Sequence, residues 1–337
     1  MIKKLSVLDQ SPVSEGSTPA EALAQTALLA QEAERLGYHR FWVSEHHSAP
    51  GLASSSPEVL MAHLAARTSS IRIGSGGVLL PHYSAYKVAE NFRVLEGLYP
   101  GRIDLGIGRA AGGAAMATQA LQENQFRNMD RYEQQVQDLI SYLYLPSDPD
   151  HRFAGLQVTP VVSTSPELWL LGSSIGSSSL SAKLGTGFAF AQFINGEGGS
   201  GAVQGYKKDF RPSGASAAPR CIVAVFAVCA ETSEEANHLA SSMDLSLVLL
   251  EKGHVSTGTP SVERARAYPY TPYDMFRIHD NRKRMVVGSA ESIREQLEEL
   301  SERYQCDEIM IANLIHNFPD KLKSLQLIAK ACGLQQR

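Results

Sequence analysis

The stretch "RIDLGIGRAAGG", residues 102–113, decides between two folds. Aliphatic residues alternate into a glycine-rich loop, which invites the reading of a dinucleotide-binding turn. That fingerprint requires G-x-G-x-x-G with a helix opening at once. Here Gly106, Gly108 and Gly112 give G-x-G-x-x-x-G, and the next clear helical pattern begins only near residue 128. The segment also lies deep in the chain, after three earlier strand patterns. It therefore reads as one more parallel strand whose end presents a fixed positive charge, Arg109, beside the amides of Ala110 and Ala111.

Working outward, the same unit recurs. Apolar runs at 5–10, 40–45, 71–80, 102–108, 168–173, 188–194, 221–230 and 308–314 read as eight strands. Continuous apolar strands suit a parallel sheet covered on both faces. Helical patterns follow nearly every one. Thr18, Pro19 and Glu21 form a helix-start signature and Gly37 a stop. Further helices are expected at about 56–67, 84–98, 128–145, 177–185, 201–210, 232–250 and 290–304, and from Pro319 onward. Eight strand–helix units imply an α/β TIM (βα)8 barrel. Such a barrel needs roughly 250 residues, and the chain has 337. The surplus falls mainly between strands seven and eight, where a Gly-, Pro- and Tyr-rich stretch at about 250–285 is expected to form a lid or pocket wall. No internal boundary divides residues 1–337, which read as one domain.

Composition narrows the functional classes. Hydrophobic residues make up 43% and charged residues 20%, with a net charge of −4. Without a basic excess, nucleic acid is not an expected partner. No apolar run reaches the roughly 18 residues of a membrane helix. The start "MIKKLSVLDQ" is too short in apolar residues for a signal peptide. A cytoplasmic location is expected. Cys221, Cys229, Cys306 and Cys332 show no C-x-x-C spacing and read as free thiols.

Chemistry in this architecture sits where strands end, and several ends here are unusual. The second strand finishes on Glu45-His46-His47. A metal site, a general base, a cofactor-pocket wall and a polar rim are all open readings. Adjacent strand residues face opposite sides, which argues against both histidines holding one metal ion. His46 is the candidate catalytic residue because imidazole exchanges a proton near neutrality. The third strand carries Gly74, Gly76 and Gly77, which mark either a bend or a flat ligand lying against the main chain. The fifth strand ends "LLGSSIGSSS", where Ser173, Ser174, Ile175, Gly176 and Ser177 lead into a helix. A helix start binds anions through its free N–H groups; the alternative is plain capping by Ser174 or Ser177. With Arg109 on the neighbouring strand, the anion would be a phosphate.

Taken in order, "FWVSEHH", "GSGGVLLPHYSAYKVAE", "YPGRIDLGIGRAAG", "LWLLGSS" and "VVGSAESIREQL" resemble the bacterial luciferase-like flavin monooxygenases over nearly the whole chain. The resemblance implies a usually dimeric enzyme that binds reduced FMN reversibly. A separate NAD(P)H-dependent flavin reductase would deliver the flavin, and O2 would be the co-substrate. One oxygen atom would pass to a small organic substrate by way of a peroxyflavin. It also implies phosphate contacts from Arg109, Ala111, Arg131, Ser174 and Ser177, a flavin ring near Gly76 and Gly77 with a cis peptide between them, and His46 supporting turnover. The luciferases carry two alanines where this chain has the two glycines. The 250–285 wall has no clear counterpart, so neither light emission nor an aldehyde substrate follows. A deazaflavin-dependent hydride-transfer enzyme, a non-catalytic flavin-binding protein and a metal-dependent hydrolase are the rival readings.

Overall fold

The computed structural model describes residues 2–123, 131–145, 149–255 and 257–336. In chain order the strands are β1 (Lys4–Asp9), β2 (Arg40–Val43), β3 (Arg72–Ser75), β4 (Val78–Leu79), β5 (Ile103–Gly108), β6 (Glu167–Gly172), β7 (Gly187–Ala191), β8 (Cys221–Ala230), β9 (Met285–Ser289) and β10 (Glu308–Ala312). Their pairings are all parallel, in the order β1-β2-β3-β5-β6-β7-β8. β10 then closes the ring, with Ile309 beside both Val223 and Leu5. This is the expected eight-stranded TIM barrel.

Helices surround it: α1 (Pro19–Arg35), α2 (Pro57–Arg67), α3 (Ala85–Leu98), α4 (Ala115–Leu121), α5 (Tyr132–Tyr144), α6 (Ile175–Leu184), α7 (Gly199–Lys208), α8 (Ser233–Glu251), α9 (Val262–Ala267), α10 (Pro272–Arg282), α11 (Ala290–Tyr304) and α12 (Phe318–Ala331). None of the described helices is long and apolar enough to cross a membrane. The cap signals act as read: Thr18 accepts from the Glu21 amide, and Glu21 reaches back to the Thr18 amide.

Alternation within each strand sorts the core into two shells. On β1 and β2, Leu5, Val7, Phe41 and Val43 pack outward against the helices. Leu8 and Trp42 point into the barrel with Trp169, Ile222, Ala224 and Met310.

Three details depart from the sequence reading. The third strand is not continuous: β3 pairs with β2 and β5, and β4 resumes against β5 higher up, past the Gly76–Gly77 cis peptide that the family resemblance led one to expect. The segment between the seventh and eighth barrel strands contains an unforeseen strand, β9, which extends β8 through Phe226–Ala230 after β7 has ended. The short helix α4 was also unforeseen. The start expected near residue 128 for the following helix falls at residues 124–130, outside the described segments.

The foot of the barrel is polar. The Arg40 side chain, 3% exposed, lies 2.7 Å from Asp104, 2.7 Å from Glu308 and 3.3 Å from Glu167. Arg72 adds a 2.6 Å bond to Asp104, and Arg220 a 2.7 Å bond to Glu167. Three guanidinium groups thus face three carboxylates. Burial opposes the charge of Arg40, but Asp104 and Glu308 hold it ionised. Arg40→Met would leave Asp104 and Glu308 buried without that partner. Losing one member of a buried ion network costs about 3–5 kcal/mol. Urea unfolding should show a loss of that size, while the exposed-pair variant Lys3→Met stays within about 0.5 kcal/mol of the parent.

Candidate active site

The strand ends converge on a cavity of about 540 Å3 at the C-terminal mouth of the barrel. That volume is typical of a small-molecule or cofactor pocket. Small inward residues create the space. On β7 the sequence "GFAFA" turns Phe188 and Phe190 outward, while Ala189 and Ala191 line the cavity. Ala224 does the same on β8. Leu8, Leu171, Phe193, Ile194 and Met310 complete an apolar wall. These wall positions escaped the sequence reading. Their signal was available in the alternation of small and large residues along β7.

On the stretch after β2, Ser44, Glu45 and His46 line the cavity and His47 does not. His46 lines the cavity, and its Nδ1 lies 3.0 Å from the Ser44 hydroxyl. Burial first, then the neighbouring His47, pushes the His46 imidazole down to about 4, so it is neutral at pH 7. His47 turns away and pairs instead with Glu45 at 2.6 Å. The two histidines do not converge, as the strand periodicity required. Of the two roles expected for Glu45, orienting group or rim, the buried orienting one holds: it is 3% exposed. Its carboxylate accepts from the Tyr83 hydroxyl at 2.7 Å and the Leu79 amide at 2.9 Å, besides His47. It therefore ties the end of β2 to the chain just past the glycine pair.

Gly76 and Gly77 both line the cavity. A Cβ on Gly76 would stand 2.7 Å from Leu8, and one on Gly77 would stand 2.7 Å from the Gly106 carbonyl. With no Cβ at either position, the backbone lies close to the Leu8 side chain and to the Gly106 carbonyl and leaves a flat surface. On the next loop, Gly108, Arg109, Ala110, Ala111 and Gly112 line the same space. The loop is held from behind, since the His47 amide donates to Gly112 at 2.8 Å and His82 Nε2 lies 3.0 Å from the Ala111 carbonyl. Arg109 is exposed at the mouth, and no ion pair holds it among the described residues. Its charge reaches the buried Tyr132 hydroxyl at the start of α5.

Beyond β6, Ser173, Ser174 and Ser177 line the cavity. Ser174 caps α6 by accepting from the Ser177 amide, so the plain capping role is real. It does not use the Ile175 and Gly176 amides, which remain part of an electropositive helix start. Three expected residues stand outside the lining: Ile175 and Gly176 at the exposed first turn of α6, and Arg131 at the exposed start of α5. The expected pocket wall at 250–285 is a correction. None of its described residues lines this cavity. Its helices α9 and α10 pack on α8, and Thr259 is hydrogen-bonded to Val13 and Glu15 beside the mouth.

The family model for luciferase-like monooxygenases matches residues 4–305. The chain belongs to this family, and it is an oxidoreductase enzyme. It is 55% identical to YwcH of Bacillus subtilis (strain 168), across 97% of this chain and 98% of that one. It is 41% identical to the N-acetyl-S-alkylcysteine monooxygenase of the same organism, across 97% and 98%. The crystal structure of apo-MsnO8 is 39% identical, covers 99% of each chain and superposes with a TM-score of 0.90. The oxygenating constituent of 3,6-diketocamphane monooxygenase from Pseudomonas putida, solved in complex with FMN, shares the fold with a TM-score of 0.70 at 19% identity, covering 100% of this chain and 99% of that one.

The pH dependence of stability should register the buried imidazole. The folded His46 value, about 4, lies below the ordinary 6.5, so the unfolded chain takes up the proton first as pH falls. Stability is complete above 6.5 and declines toward 4, by up to about 3 kcal/mol from this group. His39, also pushed down to about 4 by burial and then by Arg40, adds a second decline in the same window. Urea unfolding across that window should show His46→Gln flattening part of the slope and His39→Gln another part.

Proposed function

We propose that the protein is a flavin-dependent monooxygenase that uses reduced FMN and O2 to oxygenate a small organic substrate. One observation carries this reading: a single cavity brings together a neutral histidine, a flat glycine surface and an arginine beside a helix start. These residues fit a phosphorylated planar cofactor. Arg109, the Ala110 and Ala111 amides, Ser173, Ser174, Ser177 and the Ile175 and Gly176 amides would hold the phosphate. Arg131 would join them from α5. Gly76 and Gly77 would lie against the ring system.

When bound, reduced FMN supplies the electrons that activate O2. The chain's own tasks are separate. The apolar wall of Leu8, Leu171, Phe193 and Met310 excludes water from the reacting region. His46, kept neutral by burial, is available to take or return a proton within the cavity. Ser44 orients its ring from Nδ1, leaving Nε2 as the working atom. Exposure of Arg109 and Ser174 suits a flavin that binds and leaves. In this reading a separate NAD(P)H-dependent flavin reductase renews it. A thioether is the substrate class to try first, because the N-acetyl-S-alkylcysteine monooxygenase is 41% identical.

Rapid mixing of the protein and reduced FMN with oxygenated buffer tests the proposal. Oxidised FMN should return more slowly than from free flavin, and faster again with substrate present. Return at the rate of free flavin, with no O2-dependent product, would reject it in favour of a deazaflavin hydride-transfer or non-catalytic role. His46→Ala should lower turnover by about 10²–10⁴-fold with little change in FMN affinity by fluorescence titration. Arg109→Ala should weaken FMN binding about ten-fold or more, the worth of one charge-assisted contact.

A further inference from the structure

The cavity at the barrel mouth has two unlike ends. Trp42 on its floor meets Trp169 edge to edge, with ring centroids 5.8 Å apart, and this pair divides the cavity from the foot of the barrel. Arg109, Ser173, Ser174 and Ser177 stand past the ends of β5 and β6. In the closed ring β1 lies four strands from β6 in either direction, so it faces β6 across the barrel. Gln10 is the residue just past β1. Leu8 and Gln10 line the cavity and Asp9 between them does not, so Gln10 turns inward at the far end from the serines.

The groups around Gln10 leave its amide uncommitted. On one side of β1, β10 contributes Met310 to the cavity, and β8 beyond it contributes Ala224. On the other side β2 leads to Ser44 and His46, which lie 3.0 Å apart, oxygen to Nδ1. Among the described residues the half-buried Gln10 amide has no hydrogen-bond partner. It carries donors and an acceptor that a ligand in the cavity can meet.

The backbone beside it is firmly held. Ser11, fully buried, has a φ of 49°, a left-handed conformation that non-glycine residues seldom adopt. The buried Asp9 carboxylate fixes the turn. It accepts from Lys321 at 2.6 Å, from Thr26 at 2.6 Å and from the Ser11 amide at 3.3 Å. Ala53 donates to the Ser11 carbonyl at 2.9 Å. A non-glycine residue held this way marks a place where function needs a set geometry. Here the turn presents Gln10.

Charge selects what Gln10 meets. Among the described lining residues Arg109 is the one cation, and it stands with the serines. An ionised carboxylate at the Gln10 end would lose water without gaining an opposite charge. We propose that Gln10 is a specificity-determining residue that binds a neutral carbonyl group, of an amide or ester, on an otherwise apolar substrate. The apolar part lies along Leu8, Phe193 and Met310. This names the substrate class of the monooxygenase reading and rests on it.

Three sulfides that differ at one end test it: butylsulfanylacetamide, butylsulfanylacetate and butyl propyl sulfide. Each is titrated into the full chain, with and without oxidised FMN, and followed by tryptophan fluorescence, since Trp42 lines the cavity. The acetamide should bind the parent about ten-fold more tightly than the acetate. Gln10→Leu should weaken the acetamide about ten-fold and leave butyl propyl sulfide within about two-fold. Its FMN affinity should match the parent's. Gln10→Lys should reverse the order of acetamide and acetate. In oxygenation assays Gln10→Leu should raise KM for the acetamide and spare kcat. Equal acetamide binding by parent and Gln10→Leu, no acetamide binding by the parent, or tighter parent binding of the acetate overturns the proposal. So does a loss of FMN affinity in Gln10→Leu, which would make Gln10 a cofactor contact. Failure of the parent to oxygenate any of the three sulfides counts against the monooxygenase reading, and the titrations judge Gln10 separately.

Discussion

The barrel closes around one buried cation. Arg40 faces Asp104 on β5, Glu167 on β6 and Glu308 on β10 from its own position on β2. Ser6 on β1 donates to the same Glu308 at 2.6 Å, and Trp42 donates to Asp104 at 2.9 Å. A parallel sheet with both faces apolar has no strong intrinsic preference for one register over a slipped one. A fixed guanidinium fork with few acceptable partners supplies that preference. Once the foot is registered, the strand ends at the opposite mouth arrive at set heights.

β2 carries this logic to the site. Its inward positions are Arg40 at the foot, Trp42 at the divide, then Ser44 and His46 at the mouth. Past its end, Glu45 and His47 bind each other and clamp the chain around Leu79 and Gly112. One strand thus presents an imidazole to the cavity from one side and fastens two cavity loops from the other. The imidazole stays neutral because burial disfavours its charge. The carboxylate is held by three donors.

The cavity itself is a packing consequence. Barrel interiors fill with side chains unless inward positions are small. Ala189, Ala191 and Ala224 fall at inward positions near the mouth, while Trp42 and Trp169 fill the middle. The chain therefore keeps a solid core below and an open pocket above. Confinement of the glycine pair against Leu8 and Gly106 adds a flat floor on one side.

The sequence by itself determined the repeating strand–helix order and the count of barrel strands, because apolar runs and cap residues are local signals. It also determined that His46 and His47 point apart, since strand periodicity is a property of the backbone. Arg109, Ser174 and the glycine pair were legible as strand-end features for the same reason. Only the tertiary structure decided which of those ends share a cavity. It placed Arg131, Ile175 and Gly176 outside the lining and drew the 250–285 segment onto α8 rather than over the pocket. It also paired Met285–Ser289 with β8, and it decided between the orienting and rim roles open to Glu45 by burying it as a hub. These outcomes rest on contacts between residues far apart in the chain, such as Glu45 with Tyr83 and Cys221 with Cys306. No local pattern of residue types encodes which distant partner will be met.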